Sequence, residues 1–172
     1  MFRTSRTLRS AVALIAGLVT AAGAVGAGAG TASADPYQGK NYVKTIRCGS
    51  ADPWGGAPLS IYVDVYNKVA FPSDGLPGPA IDLVASNPRS PSIIPNLTEY
   101  NVETTVRWRN VTTGRAGTVR VPTRSTRAGW EAVIHPGRGK VNFRIEQKIG
   151  ALLFVPMVNP QTSHCSGSAI SS

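Results

Sequence analysis

Six arginines lie close together in the middle of the chain, in a stretch without an acidic residue. From Thr104 to Gly129 there is neither Asp nor Glu. Planar guanidinium groups match the oxygen geometry of carboxylate, phosphate and sulfate, so a cluster of them is suited to binding anions. The alternative is a solvated sheet face whose charges discourage aggregation. The arginines are Arg107, Arg109, Arg115, Arg120, Arg124 and Arg127. The candidate binding residues are the first five, Arg107, Arg109, Arg115, Arg120 and Arg124.

Catalytic motifs are absent from the sequence. His135 precedes Pro-Gly at a predicted turn, His164 adjoins a cysteine, and no Gly-x-Ser-x-Gly elbow occurs. The acids are scattered, without the spacing of a calcium loop or of a glycosidase pair. We therefore expect no enzymatic activity and no cofactor. The alternative is a small secreted hydrolase whose carboxylates meet only in the fold. A concave pocket with two acids, or with one acid and His135, would overturn the preference for a non-catalytic protein.

Two cysteines, Cys48 and Cys165, lie near opposite ends of the region after residue 34. In an exported chain the default for such a pair is a disulfide. The alternative is a zinc site that draws in His164 or His135. Because these residues have no C-x₂-C or H-x₃-H spacing, we predict the disulfide and no metal site.

Residues 1–34 have the pattern of a cleaved secretory signal peptide. Arg3, Arg6 and Arg9 precede an apolar segment, which ends in Ala32-Ser33-Ala34 before Asp35. The alternative is an uncleaved anchor helix, since the apolar segment is long enough to span a bilayer. We predict cleavage and an exported protein, either secreted or associated with the cell envelope, with no transmembrane segment after cleavage. Residues 35–172 are then one domain with 15 of the 18 Lys and Arg, all nine acids and a net charge of about +6.

The clearest structural element is a β-hairpin from Tyr100 to Val121. Strict alternation predicts a strand with a buried and an exposed face. Its second strand resumes after turn residues, with Val119 and Val121 facing inward. Arg107, Arg109 and Arg120 are predicted on the outer face, with Arg115 at the turn, and Arg144 of a later strand extends the patch. The predicted inner residues are Tyr100, Val102, Thr104, Val106 and Trp108.

Further strands are predicted at 41–48, 59–66, 129–135, 140–146 and 152–158, with a tail that returns Cys165 towards Cys48. The proline-rich stretch from Pro72 to Leu97 reads as a crossover between two sheets, in which Ala80–Val84 is a short edge strand or a helical turn. Seven or eight short strands with regular turns predict an all-β fold, an antiparallel β-sandwich with one disulfide. A small β-barrel is the alternative.

The run Val106-Arg-Trp-Arg-Asn110, followed by Thr113-Gly114, Gly117, Val119 and Val121, resembles hairpins of small immunoglobulin-like proteins exported by Gram-positive bacteria with GC-rich genomes. The resemblance covers about 20 residues and implies the immunoglobulin-like sandwich architecture alone. It carries no site residue, because Cys48 and Cys165 lack the spacing around a central Trp found in antibody domains.

The sequence therefore predicts an exported, non-catalytic protein that binds a partner at the envelope or outside the cell. The expected partner is an anionic envelope polymer, bound by the arginines, or another envelope protein. We expect no specific nucleic-acid recognition, because the chain has no recognition helix and no ladder of outward aromatic residues.

Overall fold

Eight β-strands arranged in two antiparallel sheets make up the described part of the protein. The structure, a computed structural model, describes residues 39–88, 99–155 and 157–172. The signal segment 1–34 and residues 89–98 of the proline-rich connection lie outside the described residues. The strands are β1 (Asn41–Arg47), β2 (Tyr62–Asn67), β3 (Ile81–Ser86), β4 (Glu99–Asn110), β5 (Ala116–Ser125), β6 (Trp130–Ile134), β7 (Gly139–Leu152) and β8 (Val158–Ser171).

Sheet I has the strand order β1-β2-β3-β6, and sheet II has the order β5-β4-β7-β8. The predicted all-β sandwich is confirmed, and the barrel alternative is wrong because the strands form two separate sheets. The core lies between the sheets and includes alternate residues of the inner strands, such as Val63 and Val65 of β2 and Phe143 and Ile145 of β7. Burial of these side chains is the main source of stability.

The β4–β5 hairpin has the predicted alternation, with Arg107 opposite Thr118 and Trp108 opposite Gly117. Its turn is fixed by the buried side chain of Asn110. The Oδ1 atom accepts hydrogen bonds from the backbone N–H groups of Thr112 and Thr113 at 2.9 and 3.1 Å. The Nδ2 atom donates to backbone carbonyls of residues 136–138 at 2.9–3.3 Å. Asn110 therefore joins the β4–β5 turn to the β6–β7 turn.

The predicted disulfide is confirmed. Cys48 and Cys165 are bonded, with their Cα atoms 5.4 Å apart and a sequence separation of 117. Cys48 follows β1 and Cys165 belongs to β8, so the bond joins sheet I to sheet II along one side of the sandwich. The zinc alternative for these cysteines is therefore wrong.

Two predictions of individual strands are wrong. The apolar run 152–158 is not the last strand, because residues 153–155 are exposed and lie between β7 and β8, and the predicted tail is strand β8. Nor is the segment after Ala80 an edge strand or a helical turn. It is strand β3, hydrogen-bonded to β2 on one side and β6 on the other. The first crossover between the sheets is thus the connection that follows β3.

Candidate functional site

Four arginines lie together on the exposed face of sheet II, and we call this surface the arginine face. Arg107 of β4 is directly opposite Arg144 of β7, and Arg109 follows two residues later on β4. On the other side, Arg120 of β5 is opposite Thr105, diagonal to Arg107. Residues directly opposite in an antiparallel pair have Cβ atoms about 5 Å apart, so the register brings like charges into direct proximity.

One carboxylate, that of Glu146, lies within this group. Arg107 donates a hydrogen bond from Nη1 to Glu146 Oε2 at 2.9 Å. This hydrogen bond, with the positive charges of Arg107 and Arg144, lowers the pKa of Glu146. Among the described residues, the other three arginines of the face form no salt bridge.

A shallow depression of about 280 Å³ opens on the arginine face. Its lining consists of Arg107, Trp108, Arg109, Asn142, Phe143 and Arg144. Trp108 and Phe143 pack towards the core, so strand backbone forms much of the floor. The rim consists of three guanidinium groups and one amide, all of which can donate hydrogen bonds to an anion.

Arg115 and Arg124, the two candidate arginines that do not belong to the arginine face, lie apart from this depression. Arg124, near the end of β5, donates from Nε to Glu99 Oε2 at 2.7 Å, so a protein carboxylate already neutralises it. Arg115 lies in the β4–β5 turn, and its guanidinium extends to Gly137 of the β6–β7 turn. The structure therefore brings together Arg107, Arg109 and Arg120 of the predicted set, and Arg144 extends this patch as predicted.

A second concave site lies on the side of the sandwich opposite the disulfide. There the edge strands β5 and β6 face each other without pairing. We call the space beside them the edge groove; it has a volume of about 500 Å³. It is lined mainly by Trp108, Val119 and Val121 from sheet II, by residues 131–133 of β6, and by Ser73, Asp74, Leu76 and His135.

The edge groove contains the pair that would favour a hydrolase, an acid with His135. His135 Nε2 lies 2.8 Å from Asp74 Oδ2, and Nδ1 lies 3.1 Å from the carbonyl oxygen of Pro77. Partial burial alone would raise the pKa of Asp74, but hydrogen bonds from the Leu76 N–H and His135 lower it, which keeps the carboxylate ionised. A carbonyl and a carboxylate oxygen can only accept, so each ring nitrogen of His135 already faces an acceptor of the protein. In this arrangement neither nitrogen is free to contact a substrate.

The second acid of the groove, Glu131, belongs to a cluster on sheet I. Lys40 forms an ion pair with the buried Asp82, and its Nζ is 3.7 Å from Glu131 Oε1. Burial and the charge of Glu131 raise the pKa of Asp82. Partial burial opposes protonation of Lys40, but the two carboxylates raise its pKa on balance. The side chain of Glu131 is 41% exposed, and Lys40, which it shares with Asp82, neutralises its negative charge only in part.

No protein-family model, no curated protein and no solved structure matches this chain. Within the described ranges, no helix is long and apolar enough to cross a bilayer. The same residues contain no group of three or more His, Cys, Asp and Glu that could hold a metal ion. The function of the protein is therefore inferred from the geometry of the arginine-face depression and of the edge groove.

Sequence reasoning did not identify Asn142 or the edge groove. Asn142 is two residues before Arg144 on an alternating strand, and this spacing was a usable signal for a second residue on the same face. The sequence contains a weaker signal for the edge groove. Gly117 is opposite Trp108, and a Cβ atom at Gly117 would lie 2.5 Å from the indole ring. Glycine thus lets the indole lie against β5, at the groove.

Proposed function

We propose that this protein is an exported, non-catalytic binding protein whose arginine face binds anionic polymers of the cell envelope. The observation that carries the proposal is the depression bounded by Arg107, Arg109, Arg144 and Asn142. Export is supported by the signal-peptide pattern of residues 1–34 and by the disulfide, which forms in oxidising compartments.

Charge repulsion within the face favours an external anion. Two unit charges about 6 Å apart repel by about 0.7 kcal/mol in bulk water and about 3 kcal/mol at an effective dielectric constant of 20. Of the four arginines of the face, Arg107 forms a salt bridge with Glu146, which relieves this repulsion only in part. A phosphate, sulfate or carboxylate in the depression would accept hydrogen bonds from several guanidinium groups and lower their mutual repulsion.

A polymer fits the site better than a single small anion. Arg107 and Arg109 are two residues apart on one strand, a spacing of about 7 Å. Arg120 and Arg144 lie on the strands to either side, so the charges extend across three strands of an open surface. Repeating anionic groups along one chain can contact several arginines at once, and the binding should weaken as salt is added.

Retention on an anionic matrix across a salt series tests the proposal. The Arg107→Gln, Arg109→Gln, Arg144→Gln triple variant should elute at lower salt than wild type. The matched control is Arg115→Gln, Arg127→Gln, Arg138→Gln, which removes the same charge from exposed positions outside the depression. Equal elution of the two triple variants, both folded by circular dichroism, would show that net charge alone determines retention and would reject the proposed site.

A small hydrolase is the second candidate, favoured by the Asp74–His135 pair in the edge groove. It requires that substrate binding free one imidazole nitrogen from its acceptor. Turnover of chromogenic esters and glycosides above the buffer rate, lost in both His135→Gln and Asp74→Asn, would support this candidate. Turnover that persists in both folded variants would exclude the pair as its source.

A further inference from the structure

The edge groove has an apolar floor that the described residues leave uncovered. Val119 and Val121 alternate along β5 and point towards sheet I, but they are only half-buried. On the neighbouring strands of sheet II, Val106 and Ile145 are fully buried under sheet I. Trp108 is also half-buried and lies beside the two valines. Sheet I is therefore one strand too narrow to cover the inner face of β5.

A free hydrogen-bonding edge borders this floor. Strand β6 pairs with β3 on one side only, and no described strand pairs with its other side. Backbone N–H and C=O groups along such an edge are available to an additional strand. A strand added to β6 would become the fifth strand of sheet I. Because side chains alternate, every second side chain of that strand would point down onto Val119, Val121 and Trp108.

The charges at the groove indicate which side chains the added strand carries on its other face. Glu131 projects outward from β6, is 41% exposed, and shares Lys40 with the buried Asp82. Asp74 lies at the same groove, next to the end of β6, hydrogen-bonded to His135. A basic residue beside Glu131 would complete its neutralisation, whereas an acidic residue there would be repelled.

We propose that the edge groove binds an extended segment of a partner protein, which adds a strand to β6 and alternates apolar with basic residues. β6 has five residues, so the paired length is about 17 Å. Main-chain hydrogen bonds to β6 supply part of the affinity, and the apolar floor selects alternate side chains. This site is distinct from the arginine face, which lies on the opposite surface of sheet II.

The experiment uses the full protein and a short peptide that alternates lysine and valine, capped at both ends, as the probe. We expect saturable one-to-one binding by isothermal titration calorimetry at physiological salt. Hydrogen exchange followed by mass spectrometry should show new protection of residues 130–134. The same peptide N-methylated at alternate amides on its pairing edge should bind at least tenfold more weakly, because it cannot complete the main-chain hydrogen bonds. A peptide alternating glutamate and valine, titrated into the triple variant of the arginine face so that anion binding there does not contribute, should also bind at least tenfold more weakly than the lysine–valine peptide.

Equal binding of the N-methylated peptide would overturn strand addition, since apolar contact alone would then explain the affinity. Protection outside β6, or no binding of the lysine–valine peptide, would also overturn the proposal. The N-methylated control is on the ligand side, so it does not depend on a variant that may fail to fold. The triple variant of the arginine face should bind the peptide as wild type does, which separates this result from the test of anion binding.

Discussion

Loss of the Cys48–Cys165 disulfide should lower the stability of the domain more than almost any other single change. The bond closes a loop with a sequence separation of 117, and the chain-entropy model gives about 5 kcal/mol for a loop of that length. A domain of this size has a total unfolding free energy of about 5–15 kcal/mol, so the loss is a large fraction of it. At about 3–5 °C per kcal/mol, the midpoint of thermal unfolding, Tm, should fall by about 15–25 °C.

The assay compares three samples by urea denaturation: oxidised wild type, wild type with reductant, and the Cys48→Ala, Cys165→Ala variant. Reduction removes the cross-link and keeps the sulfur atoms, whereas the variant also removes their packing; Cys48 is buried and Cys165 half-buried. We expect both treatments to lose several kcal/mol, the variant slightly more. A loss under about 1 kcal/mol in both would refute the loop-entropy argument for this protein.

Three further predictions concern local structure. Asn110→Ala should lower the unfolding free energy by roughly 2–4 kcal/mol in urea titrations, because backbone groups of two turns lose their partner; a loss under 1 kcal/mol would contradict this role. Gly167→Ala should cost about 1–3 kcal/mol in the same titrations, since a Cβ atom would lie 2.3 Å from Ile46 Cδ1; unchanged stability would mean that this contact relaxes freely. The lowered pKa of Asp74 stabilises the folded state above about pH 4 and ceases to do so as the pH falls further. The Asp74→Asn variant should therefore lose less stability than wild type between about pH 4 and pH 2. Unfolding free energies of the two proteins that fall in parallel over this pH range would contradict the prediction.

The central hairpin could be predicted because its signal is local. Alternation over twelve residues fixes which side chains of β4 face the core, and the turn residues fix the register of β5. The inward placement of Tyr100, Val102 and Val106 and the outward placement of Arg107 and Arg109 follow from the sequence alone. The position of Arg107 opposite Arg144 does not follow from the sequence alone, because it depends on how β7, far along the chain, pairs with β4.

The prediction of the last strand is wrong because apolar content alone does not indicate a strand. Residues 153–155 are apolar but exposed to solvent, and Phe154 is fully exposed. β8 has few large apolar residues because its inward positions face bulky partners. At Gly167, for example, Phe143 and Ile46 occupy the space that a side chain would need. Small residues on β8 are thus a consequence of large ones on its neighbours.

The edge groove could not be predicted because no single segment encodes it. It results from the order of strands in two sheets, with β5 and β6 at edges on the same side. The pairing of Asp74 with His135 likewise joins residues 61 positions apart. A histidine next to Pro-Gly and an aspartate before Gly75 each read as turn residues, and their contact depends on how two loops meet.

The position of the disulfide also determines how the domain would carry mechanical tension. Force applied to the two chain ends would pass through the covalent link between Cys48 and Cys165 and bypass the residues between them. Among the described residues, only 39–47 and 166–172 lie outside the link, so only these segments could be extended. Strands β2 to β7, which form both the arginine face and the edge groove, would keep their pairing under load. A protein held between two attachment points would therefore retain the arginine face and the edge groove while it is being pulled.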